Sequence, residues 1–433
     1  MKKTLLLIAT LLTSYVGMAQ ETYHPTAENL KAREQFQDDK FGIFLHWGLY
    51  SMMGTTEWIM TNRDINYKEY PKLAKTFYPS EFDADAWIKA IKAAGAKYIT
   101  ITTRHHDGFS LFKTATSTYN SVDGTPFKRD IIKEMADACQ RNGIKLHLYY
   151  SHLDWGREDY PVGRTGTGTG RPKEKANWAS YYKFMNTQLT ELLTNYGKVG
   201  AIWFDGWWDH DSDAKPFDWQ LEEQYALIHK LQPQCLVANN HHHTPFPGED
   251  IQIFERDLPG ENKAGLSGQS IGRLPLESCQ TINEHWGYNI TDTLYKSPKE
   301  LIQILVRAAG KNANLLLNIG PEPGGALPEL ALNRLQAIGE WLNKYGETIY
   351  GTRGGIVGPH EWGVSTQRGN KLYIHILNCM DSSLFIPTGN HKIKSATVFG
   401  TNKRLNFTKT GNGITLNFDT VPTDIDYIVE LTL

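Results

Sequence analysis

The stretch GAIWFDGWWDH, residues 200–210, brings an apolar run to a single carboxylate, Asp205, set among Trp203, Trp207 and Trp208. A carboxylate held stiffly and partly desolvated among indole rings suits attack on a glycosyl centre. Aromatic faces also favour the positive charge that such a centre develops. The competing role for Asp205 is a helix N-cap, but the following GWWDHD does not read as a helix start. Glycosidic chemistry needs a second carboxyl, protonated when substrate arrives. Glu57, Glu255, Glu261 and Glu277 are the candidates. The histidine runs at 105–106 and 241–243 offer either metal ligands or neutral imidazoles that donate to and accept from sugar hydroxyls. There is neither an HxH at the first apolar segment nor an HExxH, so no metal is expected. A barrel metallohydrolase is the alternative, and it would carry zinc and lose activity to a chelator.

Something must hold these residues together, and the chain shows a repeating design. Eight short apolar segments recur: FGIFLHWG (41–48), AKYITITTRHHDG (96–108), IKLHLYYSHLDW (144–155), AIWFDG (201–206), CLVANNHHH (235–243), DIQIFERD (250–257), LESCQTIN (276–283) and ANLLLNIGP (313–321). Amphipathic helical patterns separate several of them. DADAWIKAIKAAG places Trp87, Ile88, Ile91 and Ala94 on one stripe and stops at Gly95, and RDIIKEMADACQRNG stops likewise at Gly143. Alternating strand and helix, eight times over, predicts an α/β fold of the (β/α)₈ barrel type. Barrel active sites sit at the C-terminal ends of the strands. Those ends carry His46, His105 and His106, Tyr150, Asp205, Asn240, Glu255 and Asn318. A doubly wound open sheet would announce itself by a Gly-rich phosphate turn after its first strand, and HWGLYSMMG is not one. After the Gly-rich junction at 351–355 the helical pattern stops. KLYIHILNC, IKSATVFGT and DYIVELTL alternate as strands, which predicts a small β-sandwich over 351–433 behind a barrel over 20–350. The polar loop GRTGTGTGRPKEK (163–175) either covers the barrel mouth or is a solvated insertion.

The first twenty residues, MKKTLLLIATLLTSYVGMAQ, have two lysines, an apolar stretch and small residues. This is the pattern of a secretory signal peptide over 1–19, with export to the periplasm or the medium and no membrane span. A net charge of -2 gives no footing for nucleic acid. The four cysteines are widely spaced, so no disulfide framework is expected. The 12 Trp and 21 Tyr exceed what a core needs and suit stacking on sugar rings. A barrel that binds carbohydrate without catalysis would share these rings but would dispense with Asp205 or its acid partner.

The blocks DDKFGIFLHWGLYS, TEWIM, TRHHDGFSLF, IKLHLYYSHLDW, AIWFDGWW, LESCQTINEHWGYN and NLLLNIGPEPGG, in this order over roughly residues 30–350, resemble the α-L-fucosidase family of glycoside hydrolases. The resemblance implies a barrel with a C-terminal β-sandwich, retaining removal of terminal α-L-fucose from a fucosylated glycan, and no cofactor. It implies Asp205 as nucleophile, and His46, Glu57, Trp58, His105, His106, Tyr150 (ahead of Tyr149) and Trp203 as the sugar pocket. At EWIM, Ile59 stands where the family more often has Tyr. For the acid/base the resemblance favours Glu255, then Glu261, with Glu277 in a block that lines the site. A glycosidase of the same barrel type acting on another sugar is the near alternative.

Overall fold

A computed structural model describes residues 23–401 and 403–433; the expected signal peptide lies outside the described residues. Eight parallel strands form one sheet: β1 (Phe41–Leu45), β2 (Tyr98–Arg104), β3 (Lys145–Ser151), β4 (Ala201–Asp205), β5 (Leu236–Asn240), β6 (Gln252–Glu255), β7 (Leu276–Thr281) and β8 (Ala313–Ile319). The spatial order is β5-β4-β3-β2-β1-β8-β7-β6. A single parallel bridge, Ala238 to Ile251, joins the two edges, so the sheet is a nearly closed barrel. The strands are buried throughout apart from a few end positions, as expected where helices cover one face and side chains fill the other.

The helices between strands follow local rules. Asp83 and Asp130 cap the helices Ala84–Ala93 and Ile131–Asn142 by accepting from Ala86 and Lys133 backbone N–H groups. Gly143 ends the second helix at φ 68, where an L side chain would be strained. Ser297 and Glu300 form a capping box on Pro298–Gly310, the helix before β8. The barrel departs from a full eightfold repeat in one respect. Residues 241–251 and 256–275, which join β5 to β6 and β6 to β7, contain no helix. These loops lie over the barrel mouth instead.

Two cores result. One lies between strands and helices. The other fills the barrel with Phe44, Tyr98, Tyr149, Trp203, Ala238, Ile253, Cys279 and Leu316. Gly42 belongs to this second core by subtraction: a Cβ there would stand 2.3 Å from the Tyr98 ring. The helix Ala27–Asp39 closes the bottom of the barrel, with Phe36 packed into the interior cluster.

Past the barrel, antiparallel strands form a five-stranded and a three-stranded sheet. Leu372, Ile374 and Val429 of the first pack with Ile386, Ile414 and Leu416 of the second in a separate small core. This is the β-sandwich that the alternating segments predicted.

Candidate active site

The strand register decides which side chains meet. In a strand, alternate residues share a face. Tyr149 pairs with Trp203, and Ser151 with Asp205, across β3 and β4. Asp205 then pairs with Asn240 across β4 and β5. Glu255 pairs with Cys279 across β6 and β7. The inward-facing members of these pairs converge at the C-terminal end of the barrel. There they line a pocket of about 190 Å³ with Phe44, His46, Glu57, Trp58, His105, His106, Arg164, Trp208, His242, Leu266 and Trp286. That volume is below the ~300–1,000 Å³ of pockets for drug-sized ligands and suits a single ring.

Asp205 ends β4, and the chain turns at once through Gly206 at φ 94. The turn aims the Gly206 N–H back at Asp205 Oδ1, 2.8 Å away. Trp208 Nε1 donates to the same oxygen at 3.0 Å. Tyr149 donates its hydroxyl to Oδ2 at 2.9 Å, and His106 Nε2 lies 3.5 Å from that oxygen. Burial alone raises the Asp205 pKa. The His106 imidazole and the bonds from Trp208 and Tyr149 outweigh it and hold the carboxyl at about 2. Asp205 is therefore a fixed, ionised carboxylate at neutral pH. Burial keeps the Tyr149 phenol protonated, so its hydroxyl remains a donor.

Glu255, at the end of β6, faces Asp205. Its Oε2 accepts from Asn240 Nδ2 at 2.8 Å and contacts His242 Nε2 at 2.9 Å. The same Asn240 nitrogen lies 3.4 Å from Asp205 Oδ1. Around this pair stand two neutral imidazoles. Burial lowers His46 to about 4, partly countered by its 2.6 Å hydrogen bond with Asn318. Burial and the neighbouring His106 and His46 push His105 well below the usual imidazole value. Glu57 is anchored through Oε2, which accepts from the Gly287 N–H at 2.9 Å. Trp58 stacks on Trp208 at 5.5 Å, and Phe44 sets an edge against Trp203 and Trp286 at 5.1 and 6.1 Å. The site thus offers an ionised carboxylate, a second carboxyl opposite, hydroxyl-binding imidazoles and an aromatic wall.

Of the residues singled out in the sequence, His46, Glu57, Trp58, His105, His106, Trp203, Asp205 and Glu255 line this pocket. Three do not. Tyr150 points away from the barrel interior: its hydroxyl donates to Gln188, and the Arg104 guanidinium lies over its ring. The pocket tyrosine is Tyr149. Glu261 lies on the loop after β6, held by Lys311 at 2.8 Å and Lys263 at 2.9 Å. Glu277 is fully buried beneath the pocket floor, accepting from Trp203 Nε1 at 2.9 Å and from the Tyr98 hydroxyl at 2.7 Å. Trp207 turns from the pocket towards His243 and Phe246, while Trp208 enters it.

In the sequence Tyr149 stood second to Tyr150, and other pocket residues received no role. Tyr149 and Phe44 follow from the alternation that places Trp203 inward. Trp286 lies in the HWGYN block but outside any strand. Arg164 comes from the start of the Gly/Thr loop, which reaches the mouth: its guanidinium lies 5.2 Å from the Trp208 ring. Among the described residues no three His, Cys, Asp or Glu side chains converge as a metal-binding group. The triple histidine disperses, with His241 on Glu249, His242 on Glu255 and His243 against Trp207.

Comparison with known proteins agrees with this arrangement. The sequence model of the Alpha-L-fucosidase family matches residues 10–347. Plasma alpha-L-fucosidase from Rattus norvegicus is 30% identical over 406 residues, which are 85% of this chain and 82% of that protein. Alpha-L-fucosidase isoenzyme 1 from Paenibacillus thiaminolyticus superposes with a TM-score of 0.83 at 35% identity, covering 94% of this chain and 99% of that one. An alpha-L-fucosidase from Bacteroides thetaiotaomicron superposes with a TM-score of 0.81 at 27% identity, covering 96% and 98%. That enzyme was trapped as a covalent intermediate with 2-fluoro-fucosyl fluoride in a Glu-to-Gln mutant. With a family match across most of its length, over a barrel whose strands end on Asp205 and Glu255, this chain belongs to the α-L-fucosidase family of glycoside hydrolases.

Proposed function

We propose that the protein is an exo-acting, retaining α-L-fucosidase that removes terminal α-L-fucosyl residues from glycans, with Asp205 as nucleophile and Glu255 as acid/base. The observation that carries this reading is the placement of the two carboxylates around one amide nitrogen. Their nearest oxygens lie 3.4 and 2.8 Å from Asn240 Nδ2. These two oxygens therefore lie closer together than the ~6.5 Å at which the spacing of inverting enzymes begins, which supports retention.

In the first step a carboxylate oxygen of Asp205 attacks the anomeric carbon, and the bond to the leaving oxygen breaks. Glu255 gives its proton to that oxygen. In the second step Glu255 takes a proton from water, whose oxygen attacks the same carbon and releases Asp205. The donors on Asp205 suit both halves: they keep it ionised before attack and receive it as a carboxylate afterwards. Neutral His46 and His105, with Glu57, bind ring hydroxyls, which both donate and accept. Phe44, Trp203 and Trp286 offer an apolar wall to the methyl group of a 6-deoxy sugar. The single-ring volume supports action on a terminal residue. Export, as the signal-like N-terminus suggests, belongs to the same proposal; N-terminal sequencing of the secreted protein would test it.

The decisive assay sets para-nitrophenyl α-L-fucoside beside other aryl glycosides and reads the first-formed anomer by NMR. Release of α-L-fucose is the expected result. Release of the β anomer, or preference for another glycoside, would overturn the reading. Asp205→Asn should lose nearly all turnover with an unchanged Tm. In a Glu255→Ala variant, azide should restore turnover and yield a fucosyl azide of retained configuration.

A further inference from the structure

We propose that His242 is a positioning residue for Glu255, fixing the plane of its carboxyl so that the other oxygen faces the glycosidic bond. This rests on Glu255 being the acid/base. Three observations carry it. His242 holds a left-handed backbone, φ 66, a conformation uncommon outside glycine. Its imidazole Nε2 lies 2.9 Å from Glu255 Oε2. It is 21% exposed and lines the pocket, so it is not an interior packing residue.

The neighbours explain how the turn arises and why anchoring is not the task of His242. The His243 N–H donates to His241 Nδ1 at 3.0 Å. His241 Nδ1 is thus an acceptor, so its Nε2 carries the proton and donates to Glu249, at 3.0 and 3.1 Å from the two carboxylate oxygens. His243 packs against Trp207 at 5.1 Å. Both flanks are pinned, and the residue between them is thrust over the pocket. Among the described residues its side chain makes one polar contact, to Glu255.

That contact has a geometric consequence. Asn240 and His242 both meet Oε2, and two partners on one oxygen fix the carboxyl plane. Oε1 is then the oxygen that meets the glycosidic bond. With the proton carried on Oε1 for the departing oxygen, Oε2 is left as an acceptor, and His242 Nε2 meets it as an N–H. In the return step the same fixed plane presents Oε1 to water.

The test uses the full chain and two substrates of unlike leaving group. Para-nitrophenyl α-L-fucoside needs little protonation of its leaving oxygen, and methyl α-L-fucoside needs much. His242→Asn keeps a side chain that tolerates the left-handed region but is too short to reach Oε2. His242→Gln returns an N–H at the distance of Nε2, and glutamine already holds a left-handed backbone elsewhere in the chain, at Gln220 with φ 53. His242→Asn should lower kcat/KM roughly ten- to a hundredfold for the methyl fucoside and under about threefold for the aryl one. His242→Gln should recover most of the loss. Equal losses on both substrates, no loss on either, or a folded His242→Gln that recovers nothing would overturn the inference. Should His242→Asn not fold, His242→Gly, free of backbone strain, carries the same comparison. Glu255→Gln on the same two substrates tests the underlying reading separately. Selective loss on the methyl fucoside upholds Glu255 as the acid; its absence sinks that assignment whatever His242 does.

Discussion

Asp205 and Glu255 face each other across the Asn240 side-chain nitrogen, which lies 3.4 Å from one carboxylate and 2.8 Å from the other. Asn240 sits beside Asp205 in the β4–β5 register, so the strand pairing delivers the amide to this position. An amide N–H between two carboxylates lowers their mutual repulsion without supplying a charge. Asn240→Ala should therefore lower kcat/KM by about ten- to a hundredfold and cost ~1–3 kcal/mol of stability, since the lost bonds are to charged groups. Asn240→Asp should be worse, because a third carboxylate would push one of the three to hold its proton. Kinetics with the aryl fucoside and a thermal melt check both. Wild-type kcat/KM in Asn240→Ala would refute the role.

Tyr149 and Tyr150 are adjacent in sequence and opposite in effect. Tyr149→Phe removes the hydroxyl bond to Asp205 Oδ2. Turnover should fall about tenfold. The Asp205 pKa should also rise from about 2, moving the acid limb of the rate profile to higher pH. Tyr150→Phe instead strands the buried Gln188 carbonyl oxygen. It should cost ~1–3 kcal/mol of stability and leave kcat/KM unchanged. A matched pair of pH–rate profiles and melts separates the two.

The tyrosine pair also marks how far the sequence can be read. The barrel was legible because its strands are short apolar runs between capped, amphipathic helices, and Asp205, His46 and Glu255 were legible as strand ends. Choosing between Tyr149 and Tyr150 required counting parity from Trp203 across the β3–β4 register, which a strand-end reading does not do. The pocket's loop residues were harder. Arg164, Leu266 and Trp286 come from irregular segments whose path is set by packing over the mouth rather than by any local period. The missing helices on either side of β6 were equally silent: loops of 241–251 and 256–275 have no motif that says they will lie over the site. Glu277 was misplaced because a carboxylate in an apolar strand suggests chemistry. The signal pointing the other way, Tyr98 with room made by Gly42, lies three strands away in the sheet.

Glu261 makes a control for Glu255. Its carboxylate is held by Lys311 and by the exposed Lys263, outside the pocket. Glu261→Gln should leave the turnover of both activated and unactivated fucosides intact. Its stability cost should be on the order of 1 kcal/mol, since the pair is partly exposed and Lys311 keeps its bond to the Pro259 carbonyl. A selective loss on unactivated substrates would return Glu261 to candidacy as the acid.

Glu277 should reveal itself in stability as a function of pH. Burial raises its pKa to about 7, a shift that the bonds from Tyr98 and Trp203 only partly offset. Its unfolded value is near 4.5, so the folded state keeps the proton across the interval in which the unfolded chain loses it. A group of this kind contributes its full stability below pH 4.5 and loses it as pH rises towards 7. Glu277→Gln keeps the shape, carries no titrating proton, and leaves an oxygen for Trp203 Nε1 and an amide for the Tyr98 hydroxyl. The Tm of Glu277→Gln minus that of the wild type should therefore be small near pH 4.5, grow as pH rises, and level off above 7. The plateau should be on the order of 3 kcal/mol in favour of glutamine. Because Glu277 touches Trp203 and not the pocket, kcat/KM should change far less than in Asn240→Ala. A Tm difference that is flat between pH 4.5 and 7 would show that Glu277 titrates alike in the folded and unfolded chains, and the buried carboxyl would then have to be ionised under the floor of the site.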